Sequence, residues 1–230
     1  MIYLGTSPVS ANPPGNQVVE AELISGTITG TYSNPYVTAI AQAGLRYKNF
    51  TRLELPNCVT LNDSSIDKNS LLETVYLPKV ATVNGNYAIA DNPKLTMVVL
   101  PSVASTMRMT CFNNTIMTTA DIGPGITGNG LDHQCFINSS LNLLILRKAD
   151  APAKLNNVNA FQGTPFASGG TGGTIYIPKA LYDHLGDGTS LDYKAATNWS
   201  TVEGYGTITW AQIEGSQYEN YYADGTPVTA

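Results

Sequence analysis

Side chains suited to catalysis or metal binding are few in this chain. Its 230 residues include two histidines, His133 and His184, and three cysteines, Cys58, Cys111 and Cys135. A structural zinc ion needs four ligands, so His133 and Cys135, two residues apart, cannot hold one alone. No Cys-x-x-Cys pair occurs, and an odd cysteine count without a secretory leader argues against a disulfide framework. The cysteines are expected to be small buried core residues. Asp183, Asp187 and Asp192 share one Gly-containing loop. Calcium loops need acidic residues at alternate positions, so a solvated loop is expected there. Residues 168–174 are Gly-rich but carry no Lys and lead into a strand, unlike a phosphate-binding loop. Gly-x-Ser-x-Gly and His-Glu-x-x-His are both absent. The carboxylates of the repeat region, Glu54, Asp63, Asp67, Glu73 and Asp91, show no spacing that selects a glycosidase pair. The reading is non-enzymatic: no catalytic residue, no cofactor and no metal are expected.

Tyrosines are the more suggestive residues. There are 13, and Tyr32, Tyr36, Tyr182, Tyr193, Tyr205, Tyr218, Tyr221 and Tyr222 fall outside the repeat columns described next. A tyrosine offers a broad apolar ring and a polar tip at low entropic cost, which suits protein interfaces and sugar stacking. Tyr182, Tyr193, Tyr218, Tyr221 and Tyr222 are the candidate interaction aromatics.

The elements that must position these residues follow from an internal repeat. Leu53-Glu54-Leu55-Pro56 returns as Val75-Tyr76-Leu77-Pro78 and Val98-Val99-Leu100-Pro101. Looser copies contain Ile122, then Leu144 and Leu146, and Ile175-Tyr176-Ile177-Pro178 restores the pattern. The second apolar residue steps by 22, 23, 22, 24 and 31 from Leu55 to Ile177. Two further apolar columns keep phase: Phe50, Leu72, Leu95, Met117 and Leu141, and Leu45, Ile66, Ile89, Phe112 and Phe136. Alternation in Leu-x-Leu predicts a short strand with one face inward, and the following Pro removes a ladder donor and ends it. Asn69, Asn92, Asn113, Asn114 and Asn138 lie in turns, where Asn tolerates left-handed backbone. Val59/Leu61 and Val80/Val83 form a further apolar pair after the strand. The return is expected to be irregular or helical. One such coil cannot bury its columns alone, so the coils must stack into a solenoid with a parallel sheet on one face.

The expected organisation is an N-terminal arm and cap over residues 1–35, a solenoid of about six coils over 36–178, an α+β cap over 179–215, and a polar Tyr-rich tail over 216–230. The repeat core is Leu53, Leu55, Val75, Leu77, Val98, Leu100, Ile122, Leu144, Leu146, Ile175 and Ile177. Only 13% of residues are charged, so polar surface must come from Asn, Thr, Ser and Gln. A net charge of −5 without any basic run argues against nucleic acid as a partner. No apolar run reaches the roughly 18 residues of a membrane span. The first residues show no signal peptide, so export by another route, such as assembly into a particle, is expected.

These repeats resemble the BspA-like leucine-rich repeats of bacteria and their phages. Those read roughly Leu-Thr-x-Val-x-Leu-Pro-x-Val-x-x-Ile-Gly-x-x-Ala-Phe-x-x-Cys. Ile89-Ala90-Asp91-Asn92, Leu95, Leu100-Pro101-Ser102-Val103 and Ala160-Phe161 carry the likeness, whereas Cys111-Phe112 and Cys135-Phe136 put Cys where Ala is common. The resemblance covers residues 36–178. The segment with Leu181-Tyr182 and Tyr193-Lys194-Ala195-Ala196-Thr197-Asn198-Trp199 is similar to the terminal cap of that family, interrupted by an insertion from Asp183 to Asp192. Tyr3-Leu4-Gly5 and Ser25-Gly26-Thr27-Ile28-Thr29-Gly30-Thr31-Tyr32 resemble leaders of repeat proteins in the tail modules of gut-bacterial phages. The resemblance implies a phage virion protein, tail- or fibre-associated, made in the host cytoplasm. Its partners would be copies of itself or virion neighbours, with host-surface glycans or proteins beyond. The alternative it implies is a bacterial cell-surface adhesin module.

Overall fold

The structure, a computed structural model, describes residues 17–19, 29–128 and 130–220. Short strands separated by 20 or so residues stack in parallel, as the Leu-x-Leu spacing predicts. β2 (Gly30–Ser33), β4 (Phe50–Glu54), β6 (Thr74–Tyr76), β8 (Met97–Leu100), β9 (Thr119–Ile122), β10 (Leu143–Leu146), β11 (Gly173–Ile177) and β12 (Ile208–Gln212) form one sheet. They lie in chain order across it, with β2 at one edge and β12 at the other. Every pair is parallel, and the register aligns Leu53 with Val75, Val98 with Ala120, Ala120 with Leu144, and Leu144 with Ile175. The chain is thus a parallel-sheet β-solenoid of about five turns with few helices.

A second parallel sheet was not foreseen. β1 (Gln17–Val19), β3 (Val37–Ile40), β5 (Thr60–Leu61) and β7 (Thr82–Val83) line up on their own. The post-strand pairs Val59/Leu61 and Val80/Val83 belong to it. Two residues suffice for a strand here because each coil finds its partner in the coil next to it, with Thr60 opposite Thr82 and Leu61 opposite Val83. Leu61 and Val83 point into the core, while Val59 stays 41% exposed.

The return between the sheets is irregular. Each coil places two left-handed residues four apart around one buried apolar residue. The pairs are Ala43/Tyr47 about Leu45, Ser64/Lys68 about Ile66, Tyr87/Asp91 about Ile89, Thr110/Asn114 about Phe112, and Gln134/Asn138 about Phe136. The buried residue donates to the coil above it: Leu45 N–H to Ser65 O, Ile66 to Ala88, Ile89 to Cys111, Phe112 to Cys135 and Phe136 to Ala160, at 2.8–3.0 Å. Left-handed backbone at a non-glycine residue costs on the order of 1–3 kcal/mol. The inter-coil ladder, by satisfying buried backbone groups, outweighs it.

Asn69 and Asn92 depart from expectation. Neither is left-handed; both are fully buried. Asn92 accepts from Asn69 N–H at 2.9 Å and donates to Ile66 O and Ile89 O at 2.9 and 2.8 Å. In the next coils Thr115 and Thr164 take over, their hydroxyls donating to Phe112 O and Phe161 O.

The core is one continuous cluster that runs the length of the stack. Toward the C-terminal end it becomes aromatic. Phe112, Phe136 and Phe161 stack nearly parallel, with centroids 5.3 and 5.8 Å apart, and Phe161 then meets Phe166 and Trp199.

Six coils over residues 36–178 overstate the stack's turns and understate its sheet. After β11 the chain does not close a further coil. It passes through α1 (Lys179–Tyr182) and α2 (Trp199–Glu203) before returning as β12 beside β11. β2 and β12, both outside 36–178, belong to the eight-stranded sheet because each can satisfy the open edge of its neighbour. Residues 1–16, 20–28 and 221–230, which include most of the expected arm and much of the tail, lie outside the described residues.

Candidate interaction surface

The expected repeat-core residues, Leu53, Leu55, Val75, Leu77, Val98, Leu100, Ile122, Leu144, Leu146, Ile175 and Ile177, are all buried. They build the scaffold and touch no solvent-facing site.

The expected interaction aromatics fare differently. Tyr193 is fully buried, wedged edge-on against Trp199 (5.4 Å) and beside Trp210 (5.2 Å). Its hydroxyl accepts from Ala153 N–H at 2.8 Å, and burial pushes its pKa up. It closes the core and presents nothing outward, so it is no interaction residue. Tyr182 is half-buried against the core, and Tyr218 packs edge-on to Tyr176 with centroids 4.7 Å apart. Tyr221 and Tyr222 lie outside the described residues.

The well-exposed aromatics among the described residues are instead Tyr36, Tyr47 and Tyr87, at 46, 65 and 41%. Sequence reading named Tyr36 and missed the other two. Their signal was phase: Tyr47 follows the buried Leu45 by two residues, and Tyr87 precedes the buried Ile89 by two. Both occupy left-handed positions, with φ of 56° and 57°. At the matching positions stand small or polar residues, Ser64, Thr110, Asn114 and Asn138. The left-handed turn directs these side chains off the stack.

Around Tyr47 the surface is charged. The Arg46 guanidinium carbon lies 5.5 Å and the Lys68 ammonium nitrogen 5.6 Å from the ring centroid. Arg46 also donates to Asp67 at 2.7 Å, a bond that raises its pKa further and keeps it charged. Along the same column Asn114 donates to Asp91 at 2.8 Å and Asn138 to Asn114 at 3.4 Å, giving a short polar ladder.

Where β3, β5 and β7 run into these turns, an open cleft of about 320 Å³ is lined by Ala41, Gln42, Asn62, Asp63 and Asn84. Gly85 forms part of the close packing behind it. A Cβ there would come within 2.1 Å of the Asn62 and Asp63 backbone, so no larger residue fits.

The groups weighed for chemistry are dispersed. All three cysteines are buried and free. Desolvation pushes Cys58 and Cys111 up to about 12 and Cys135 well above its usual value, which suppresses the thiolate. His184 Nδ1 lies 2.6 Å from Asp187 at a half-exposed site. Asp187 is held below the usual carboxylate range first by the Thr189 backbone N–H and then by His184. Asp192 is buried, and burial alone would raise it. The backbone N–H groups of Gly186, Gly188 and Lys194 together outweigh that and lower it. The Asp183–Asp192 loop is therefore an ordered structural loop at Asp192, and solvated at its tip. Among the described residues no three His, Cys, Asp or Glu side chains gather as a metal-holding group. No described helix is long and apolar enough to cross a membrane. What this surface can do is stack and hydrogen-bond.

No protein-family model, no curated protein and no solved structure matches the chain.

Proposed function

We propose that the chain is a non-enzymatic leucine-rich-repeat protein of the BspA-like kind, capped at both ends, that serves in a phage virion as a tail- or fibre-associated interaction protein. Its partners are copies of itself or virion neighbours, and host-surface glycans or protein beyond them. Nucleic-acid binding and membrane insertion are not part of this reading. The observation that supports it most is the division of labour in each coil. Inward columns are apolar and continuous, while outward turn positions carry Tyr47, Tyr87, Asn114 and Asn138 in a repeating frame. A rigid frame that repeats surface groups at fixed spacing suits multivalent contact. The quenched thiols and dispersed histidines suit a binding role better than a catalytic one.

The deciding experiment is mass spectrometry of purified particles, paired with light scattering on the full chain. Presence of the chain in particles at fixed stoichiometry, together with a defined oligomer, supports the reading. A strict monomer absent from particles overturns it. The repeat wording favours one second reading, a bacterial surface adhesin module, which predicts that the chain on intact cells is removed by external protease.

A further inference from the structure

The geometry points to the cleft below Tyr87 as a binding site for one neutral hexose unit at the end of a glycan. This rests on the reading of the chain as a host-facing interaction protein. The cleft opens across successive coils, so its polar groups come from equivalent points on neighbouring turns: Gln42, then Asn62 and Asp63, then Asn84. Its volume of about 320 Å³ sits at the lower end of small-ligand sites.

The hydrogen-bonding inventory is mixed and partly unused. Asn62 Nδ2 donates to Ile40 O at 2.8 Å, which leaves its Oδ1 free to accept. Asp63 Oδ1 accepts from Asn86 N–H at 2.7 Å, which leaves Oδ2 facing other donors. The side-chain amides of Gln42 and Asn84 carry no hydrogen bond among the described residues. Planar amides and a carboxylate, each able to meet two neighbouring hydroxyls at once, are what a vicinal diol needs.

Tyr87 completes the site at the rim. Asn86 is tied on both sides, through its N–H to Asp63 and through its carbonyl to Ser64 N–H at 3.0 Å. That anchoring fixes the next residue, Tyr87, beside the cleft with a ring that is 41% exposed. The apolar C–H face of a pyranose can lie on such a ring. The lining carboxylate disfavours an acidic sugar. The nearest cation, Arg108, is engaged from outside, its Nε donating to the Asn84 carbonyl at 3.3 Å.

The test uses the full chain and three neutral probes, the methyl glycosides of glucose, galactose and mannose, with N-acetylneuraminic acid as the acidic comparison. Saturation-transfer NMR and calorimetry report binding at millimolar sugar. Binding of at least one neutral glycoside is expected, with affinity reduced roughly tenfold, about 1.4 kcal/mol, in both Tyr87→Ala and Asn84→Ala. Tyr36→Ala, an exposed tyrosine elsewhere, should bind like the parent, and thermal melts should show all three variants folded. The inference is overturned by no transfer from any neutral probe, by preference for N-acetylneuraminic acid, or by unchanged binding in the two cleft variants. Particle association is scored separately: a chain that assembles into particles yet ignores all three glycosides removes this site and leaves the proposed function standing.

Discussion

Single residues in this stack hold more than their share of stability where they satisfy buried backbone. Asn92 bonds Asn69 N–H, Ile66 O and Ile89 O with its side chain alone. Asn92→Ala would leave all three without a partner, and each buried orphan costs about 1–3 kcal/mol. A loss of roughly 3 kcal/mol or more is expected in urea unfolding, and a change within experimental error would show that water replaces the amide. Asp121 and Arg147 form a second such point, a two-pronged ion pair at 2.7 Å on both arms with Asp121 fully buried. Burial raises the Asp121 pKa, and the Arg147 bonds oppose that without cancelling it. Removing one partner strands the other's charge, so Asp121→Ala should cost about 3–5 kcal/mol. The double replacement Asp121→Leu with Arg147→Met should cost distinctly less, and a double-mutant cycle by denaturant unfolding reads the difference. At the cysteines, suppressed ionisation and burial predict that a thiol reagent labels none of the three at pH 8 in the folded chain. Denaturation should release all three, as absorbance titration of the thiols would report.

Elements here are set by neighbours rather than by their own propensity. β5 and β7 are two residues each and would be unstable alone. The Phe112–Phe136–Phe161 column shows how far a contact propagates, because Phe136 touches a ring on either side. Phe136→Ala should lose about 3–5 kcal/mol, with the cavity term included. Phe136→Leu should lose noticeably less, and thermal melts of the pair separate packing volume from ring stacking. The loop between α1 and α2 depends on Asp192 in its ionised form. Its folded pKa is depressed, so its contribution is present above the unfolded value of about 3.9 and is lost as pH falls through the lower folded value. The stability gap between parent and Asp192→Ala should therefore be about 2 kcal/mol near neutrality. It should vanish in acid below that window, and a gap that grows on acidification would refute the assignment.

On the scale of the whole molecule, each coil contacts only the coils beside it, so stability should be distributed along one axis. Amide hydrogen exchange is expected to be slowest in β8 and β9, which have partners on both sides in the middle of the eight-stranded sheet. It should quicken toward β2 and β12, where one edge is open among the described residues. A uniform exchange rate across the strands would mean that the stack opens only as a unit.

The sequence by itself determined the period, the inward columns and the parallel stacking. Those follow from local alternation in Leu53-Glu54-Leu55 and its copies, which any coil must bury against the next. Composition and spacing also placed the cysteines in the core. Several features depended on tertiary structure. Tyr193 was offered as a surface aromatic because its sequence surroundings are polar, yet Trp199 and Trp210 enclose it from distant parts of the chain. Asn69 and Asn92 were read as left-handed turn residues, whereas that backbone falls on Tyr47, Tyr87, Thr110 and Gln134, which have little preference for it. The inter-coil hydrogen bonds impose the conformation, and no local pattern encodes a bond to a residue some 22 positions away. The second sheet is equally nonlocal, since Thr60 becomes a strand residue only when Thr82 lies beside it. The cleft beneath Tyr87 exists for the same reason: Gln42, Asp63 and Asn84 become neighbours only when the coils close.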